Sequence, residues 1–282
     1  MTTAHPADGT LEGRTAVITG AARGAGRACA LAFAAQGADL VLLDVAARIP
    51  GVPYPMGSES QLAHTADACR RLGADVLTAA VDVRDLAALT ELRERTHDRF
   101  GAPHVLVNNA GIVAPSGLPV HETAEEDWQL MVDIDLGGAW RATKVFAPAM
   151  VERRSGSIVN IASTAGLVGY RNFAGYVAAK HGLVGLTKAS ALDYASYGVR
   201  VNAVCPGNIR DESAMDGRML SEVARALDVP AAEHEELFTA DQPMNTLVDP
   251  ADVAEAALWL AGDGSRRVTG TTLTVDAGYS VR

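Results

Sequence analysis

Cysteine is scarce in this 282-residue chain: Cys29, Cys69 and Cys205 are the only three, odd in number and far apart. They cannot build a disulfide framework, and reduced, buried thiols are the expected state. No apolar run approaches the roughly 18–20 residues of a membrane span. The opening stretch, MTTAHPADGT, has no basic n-region and no apolar h-region. It reads as part of a short disordered tail over residues 1–12, without a secretory signal, and a cytoplasmic location is expected. Positive charge is also in short supply, with Lys+Arg 24 against Asp+Glu 34, a net charge of -10 and no basic stripe. Nucleic acid and anionic membranes are therefore not expected as partners. The seven histidines show no His-x-x-x-His spacing, so no metal site is expected.

What the chain has is alternation. Runs rich in Val, Leu and Ile recur at residues 15–19, 39–43, 76–81, 105–107, 157–161, 199–204 and 271–275. Between them lie helical spacings over 23–36, 59–72, 86–100, 125–151, 176–196 and 250–261. Continuous apolar strands alternating with helices predict an α/β chain with a parallel sheet covered on both faces. One doubly wound domain over residues 13–282 is the economical reading. Two segments break the rhythm. Residues 45–58 hold three prolines, two glycines and a tyrosine where a strand-to-helix loop usually takes about 2–6 residues. Residues 208–247 form a long excursion with helical character at 219–227 and 232–237. Its Met215, Met219, Leu220, Leu227 and Phe238 suit either an apolar substrate lid or ordinary packing.

Gly20, Gly24 and Gly26 stand in T-G-x-x-x-G-x-G at a strand-to-helix turn. Glycines there let the backbone approach a pyrophosphate seated on the helix N-terminus. Asp44 ends the next strand, where a carboxylate accepts from both ribose hydroxyls and repels a 2′-phosphate. Arg23 in the turn could favour phosphate, but position 45 is Val rather than a basic residue, so NAD is preferred over NADP. Asp82, after the third strand, could meet the adenine edge or be a simple loop aspartate.

Asn108–Gly111 (NNAG) ends the fourth strand, Ser163 follows the fifth, and Tyr176 and Lys180 stand in Y-V-A-A-K. The i,i+4 spacing puts phenol and ammonium on one helix face. With Ser163 thirteen residues before Tyr176, CPG at 205–207, and VTG and VDAG near the end, the chain resembles the short-chain dehydrogenase/reductase family from Gly13 to Tyr279. The resemblance implies a Rossmann-type domain that interconverts an alcohol and a ketone with NAD. Tyr176 would be the general base, Lys180 would stabilise its phenolate and hold the nicotinamide ribose, and Ser163 would bind the substrate oxygen. A tyrosine titrates near pH 10, and lowering that by about three units takes roughly 4 kcal/mol, within reach of charges in a partly dry cleft. The cofactor would run along Gly20, Arg23, Gly24, Gly26, Asp44, Asp82, Val83, Asn109, Ala110, Gly111, Tyr176, Lys180, Pro206, Gly207 and Ile209. Tyr170 has no lysine four residues on and reads as a wall of the substrate cleft.

Two positions depart from the family pattern. Seven residues after Trp128, where the family carries a proton-relay asparagine, stands Asp135; five residues after Pro206, in place of a threonine, stands Asp211. The first charge should alter the surroundings of Lys180. The second would leave the nicotinamide carboxamide to Ser213 or the Ile209 backbone. The insertion after Asp44, with its Tyr54–Pro55, resembles a narrower group, the mycofactocin-associated, carveol dehydrogenase-like enzymes. That resemblance implies a nicotinoprotein whose NAD stays bound and is re-oxidised in place by the redox cofactor mycofactocin. The lid's apolar side chains and the resemblance point to a hydrophobic or cyclic alcohol as substrate, and the wider family resemblance implies a homotetramer with the helices at 125–151 and 176–196 as contacts. The alternatives are an ordinary dehydrogenase with freely exchanging NAD and a non-catalytic NAD-binding module.

Overall fold

The computed structural model describes residues 11–230 and 233–282. The apolar runs form strands β1 (Thr15–Thr19), β2 (Asp39–Asp44), β3 (Val76–Ala80), β4 (Val105–Asn108), β5 (Gly156–Ile161), β6 (Val199–Pro206) and β7 (Thr272–Val275). They pair in parallel throughout, in the order β3-β2-β1-β4-β5-β6-β7. Every residue of β1 and β4 is buried, as continuous apolar runs in a doubly covered sheet require. The order reverses between β1 and β4, and in such sheets ligands bind at that switch point, beyond the carboxyl ends of the strands.

Helices α1 (Gly24–Ala35), α2 (Glu59–Arg71), α3 (Leu86–Phe100), α4 (Glu125–Val132), α5 (Ala139–Arg153), α6 (Ala174–Ala195), α7 (Met219–Ala226), α8 (His234–Ala240) and α9 (Pro250–Ala261) cover the sheet. α1, α2 and α9 pack on one face, while α3, α5 and α6 pack on the other. Their starts are written in the sequence. Ser58 and Gln61 form a reciprocal capping box for α2, and Asp85 accepts from the Ala87 and Ala88 amides to start α3.

Three expectations need correction. The helix predicted over 125–151 is interrupted: a π-helical turn at Asp133–Gly138 separates α4 from α5. Such turns displace the residues they hold out of helical register and are frequent at functional sites. Leu11, assigned above to the tail, belongs to the folded domain, because it is fully buried in the core and its amide donates to Gln36 O at 2.8 Å. The rest of the predicted tail, residues 1–10, lies outside the described residues. In the excursion the second helix covers His234–Ala240 rather than 232–237, whose first residue is outside the described ones.

All three cysteines are free and buried. Burial pushes their thiols up, Cys29 to about 12 and Cys69 and Cys205 each to about 11. Among the described residues no helix is long and apolar enough to cross a membrane.

Candidate active site

A cleft opens over the carboxyl ends of β1, β4, β5 and β6. Its floor is the turn from β1 into α1. A Cβ on Gly26 would stand 2.1 Å from Gly20 O and 2.5 Å from Asn109 Nδ2, so no other residue fits. Asn109 Nδ2 donates to Thr19 O and Gly20 O, both at 3.0 Å, and the Asn109 and Ala110 amides donate to Thr19 Oγ1 at 2.9 Å. The end of β4 thus braces the turn. Gly20, Arg23, Gly24, Asp44, Asp82, Val83, Asn109, Ala110 and Gly111 border the cleft, whereas Gly26 acts from beneath by letting α1 close on the turn. Both Asp82 oxygens accept from Arg84, which outweighs the cost of burial and holds this carboxyl below its ordinary value.

Asp44 ends β2, almost fully buried. Its Oδ2 accepts from the Ala22 amide at 3.0 Å. Burial pushes its carboxyl up from the ordinary value, and the Ala22 and Ala46 amides and the Arg23 charge pull it back. The insertion lies directly on this carboxylate: a Cβ on Gly57 would stand 2.7 Å from Asp44 Oδ1 and 2.7 Å from Ala22 Cβ. Ile49, Val52 and Tyr54 of the insertion are buried in the core, and Tyr54 Oη accepts from the Val113 amide at 3.0 Å. Sequence reasoning marked the loop but missed this contact, since nothing local to Tyr54 points to a residue 59 positions away.

The reactive cluster joins β5, the π-helical turn and α6. Lys180 Nζ lies 3.1 Å from Asp135 Oδ1, 3.3 Å from Ile161 O and 5.5 Å from the centre of the Tyr176 ring. Asp135 is fully buried, and its carboxylate also accepts from the Ile112 amide at 3.1 Å. Gly111 makes room for it, as a Cβ there would meet Asp135 Oδ1 at 2.6 Å. Burial works to lower Lys180, but the charge and hydrogen bond of Asp135 together with Tyr176 outweigh it and hold the ammonium above its ordinary value. Burial pushes the Tyr176 phenol up; Lys180 and the Ser163 hydroxyl pull it down, and Asp135 opposes them. Ser163 is set by the 3-10 turn after β5, its Oγ accepting from the Ala165 amide at 3.1 Å.

Pro206, Gly207 and Ile209 border the cleft beyond β6. Asp211 borders it too, but its carboxylate caps α7, accepting from the Leu220 and Ser221 amides at 2.9 Å and from Ser221 Oγ at 2.6 Å. Ser213, one of the two candidates for the carboxamide, is exposed and outside the lining; Ile209 lies on it. Of the five apolar lid candidates Met219 and Leu220 reach the cleft, together with Val223, while Phe238 packs behind them with Leu220 and Leu247. Tyr170 forms a wall as expected. Its hydroxyl is 2.7 Å from Thr164 Oγ1 and its ring stacks on Tyr279, centroids 5.7 Å apart.

A braced glycine turn, an acidic strand end and a Ser–Tyr–Lys cluster on one cleft define a nicotinamide-dependent dehydrogenase, and the chain belongs to the short-chain dehydrogenase/reductase family. A family profile described as enoyl-(acyl carrier protein) reductase matches residues 20–280. (-)-trans-Carveol dehydrogenase from Rhodococcus erythropolis is 36% identical over 277 residues, covering 96% of this chain and 99% of that one. The crystal structure of carveol dehydrogenase from Mycobacterium avium in complex with NAD superposes with a TM-score of 0.90 at 35% identity, covering 97% of this chain and all of that one. A short-chain dehydrogenase from Mycobacterium paratuberculosis bound to NAD gives 0.86 at 34%, with 97% and 100% covered. This chain is accordingly a carveol dehydrogenase-like, NAD-dependent oxidoreductase.

Its residues fit NAD. Gly24, at φ +57, has nothing within 4 Å of where a Cβ would stand, so the turn presents bare backbone to the cleft. Arg23 commits both terminal nitrogens to carbonyl oxygens, at 2.7 and 2.6 Å, rather than leaving them for a 2′-phosphate.

Proposed function

We propose that this protein oxidises a hydrophobic or cyclic secondary alcohol to a ketone with an NAD that stays in the cleft through many turnovers. A mycofactocin-type acceptor would re-oxidise that cofactor in place, in the cytoplasm. The observation that carries the reading is the insertion, which is folded into the core through Ile49, Val52 and Tyr54 and lies on Asp44. Three prolines in its fourteen residues lower the entropy of the open loop, so the closed form costs less to reach. The names of the carveol dehydrogenases and the apolar side chains Met219, Leu220 and Val223 support the alcohol class.

NAD, when bound, supplies the hydride acceptor. Asp44 would hold the adenosine ribose, with Asn109 to Gly111 and Pro206 to Ile209 flanking the cofactor. Tyr176 would take the proton of the substrate hydroxyl, its phenolate favoured by Lys180 and Ser163. Ser163 would donate to the same oxygen as it becomes a carbonyl. Lys180, itself buried, would set its charge beside the phenol, held in place by Asp135 and by Ile161 O.

The test uses protein purified with no nucleotide added. NAD(H) released on denaturation is counted per subunit, native protein is soaked in labelled NAD, and carveol is offered as the alcohol. About one nucleotide per chain, exchanging over hours, is the expected result. An empty protein, or exchange within seconds, overturns the captive cofactor and leaves an ordinary dehydrogenase. The non-catalytic alternative is disfavoured because Ser163, Tyr176 and Lys180 converge on one cleft.

The proposal includes a homotetramer assembled through α4, α5 and α6. Trp128, Trp140 and Leu192 on these helices are 39%, 47% and 83% exposed, a costly arrangement for a monomer. Light scattering should return four times the 29.4 kDa of one chain; a monomeric mass would refute it.

A further inference from the structure

Arg23 does something that neither the glycine motif nor the reaction requires. Its Nη2 donates to Pro55 O of the insertion at 2.6 Å, and its Nη1 donates to Asp216 O of the excursion at 2.7 Å. These covers are far apart in the chain, and they rise from strands β2 and β6, on opposite sides of β1 in the sheet. The guanidinium spans the gap between them from the turn that forms the cleft floor.

Two further donors land on the same short piece of the excursion. Gln61 Nε2, on the helix that follows the insertion, donates to Met215 O at 2.6 Å. Arg27, one turn into α1, pairs with Glu212 at 3.0 Å. Residues 212–216 thus form a tongue tied to α1, to α2 and, through Arg23, to the insertion itself. Of these donors Arg23 alone touches both covers.

We infer that Arg23 is a latch residue: its guanidinium fork joins the insertion to the tongue, so that the two covers of the NAD cleft open together and set the rate of cofactor release. The chemistry suits the task. Two donors held apart on a rigid plane span acceptors on separate loops, a reach and a fixed geometry that the compact ammonium of a lysine does not have. Both acceptors are backbone carbonyls, so the latch depends on where residues 55 and 216 run and tolerates changes in their side chains. Neither carbonyl neutralises the guanidinium, and its charge remains beside the cleft, where it pulls on Asp44 and favours an anionic cofactor. This rests on the cleft being the NAD site, and it specifies how the captivity proposed above is enforced.

The experiment follows release of labelled NAD from loaded holoenzyme into excess unlabelled NAD, together with trypsin cleavage after Arg48 in the insertion and Arg218 beside the tongue, both exposed. Arg23→Ala should speed release about tenfold or more, since two charge-assisted hydrogen bonds are lost, and should raise cleavage at both sites together. Arg27→Ala removes one tie of the tongue with the latch intact, so any rise in cleavage should appear at Arg48 and Arg218 alike. Release at the wild-type rate from Arg23→Ala, or faster cleavage at one site only, overturns the latch. Arg23→Lys carries the same test if the alanine variant does not fold, and wild-type release and cleavage from it overturn the latch equally. A wild type that exchanges in seconds would refute captivity, while the ratio of variant to wild-type rates would still decide the latch.

Discussion

Tyr176→Phe should lower turnover with any accepted alcohol about a thousandfold, the scale of a lost general base, and leave the NAD content of the protein unchanged. The phenol is the one acid–base group in the cluster placed to serve both as acceptor of the substrate proton and as neighbour of a buried cation. Burial alone would push it further from ionisation, so its use as a base depends on the opposing pull of Lys180 and Ser163. Removing the oxygen removes that function with little change of volume. The measurement is kcat beside nucleotide per subunit. Turnover above about a tenth of wild type would sink the assignment, because a loss that small lies below the range for general acid–base groups. Loss of nucleotide together with activity would point to a structural role.

Asp135→Asn should move the acidic limb of the pH–rate profile for alcohol oxidation to lower pH, by about one unit for a like charge removed from a partly buried cluster. The sign follows from the neighbours. Asp135 raises the Tyr176 phenol, so taking away its charge makes the phenolate easier to form and the base active at lower pH. The amide still accepts from the Ile112 amide or from Lys180, and Lys180 keeps Ile161 O. A profile displaced upward, or not at all, would refute this account of the substitution. Asp135→Leu is the harsher change. It strands a buried ammonium and the Ile112 amide together, and breaking a buried pair in this way costs about 3–5 kcal/mol in urea unfolding.

Much of this was legible in the sequence because short-range rules governed it. The seven strands follow from apolar runs, and the starts of α2, α3 and α9 follow from Ser58, Asp85 and Asp249–Pro250. The resemblance to the short-chain dehydrogenase/reductase family singled out Ser163, Tyr176 and Lys180, and the i,i+4 spacing put the last two on one helix face. What escaped was decided by contacts across the chain. The π-helical turn leaves no mark in the apolar pattern, which runs on through Ile134 and Leu136. Leu11 is a single apolar residue in a polar stretch, and only its docking beside Gln36 makes it core. Asp211 stood out as a missing threonine, yet its partners are nine and ten residues later, at the start of a helix whose position the sequence does not give. Arg23 was legible as a residue of the cofactor turn, but not as a bridge, because its two carbonyl acceptors belong to loops that meet only in the folded chain.

The cysteines carry a consequence of their own. Peroxide attacks thiolates, and climbing from sulfenic to sulfonic acid needs a sulfur that is both ionised and reachable. Cys29, Cys69 and Cys205 are neither: each is shut inside the fold with its thiol pushed to about 11 or 12. A protein that moves electrons for a living therefore keeps its thiols out of the circuit, and peroxide must unfold the chain before it can reach them.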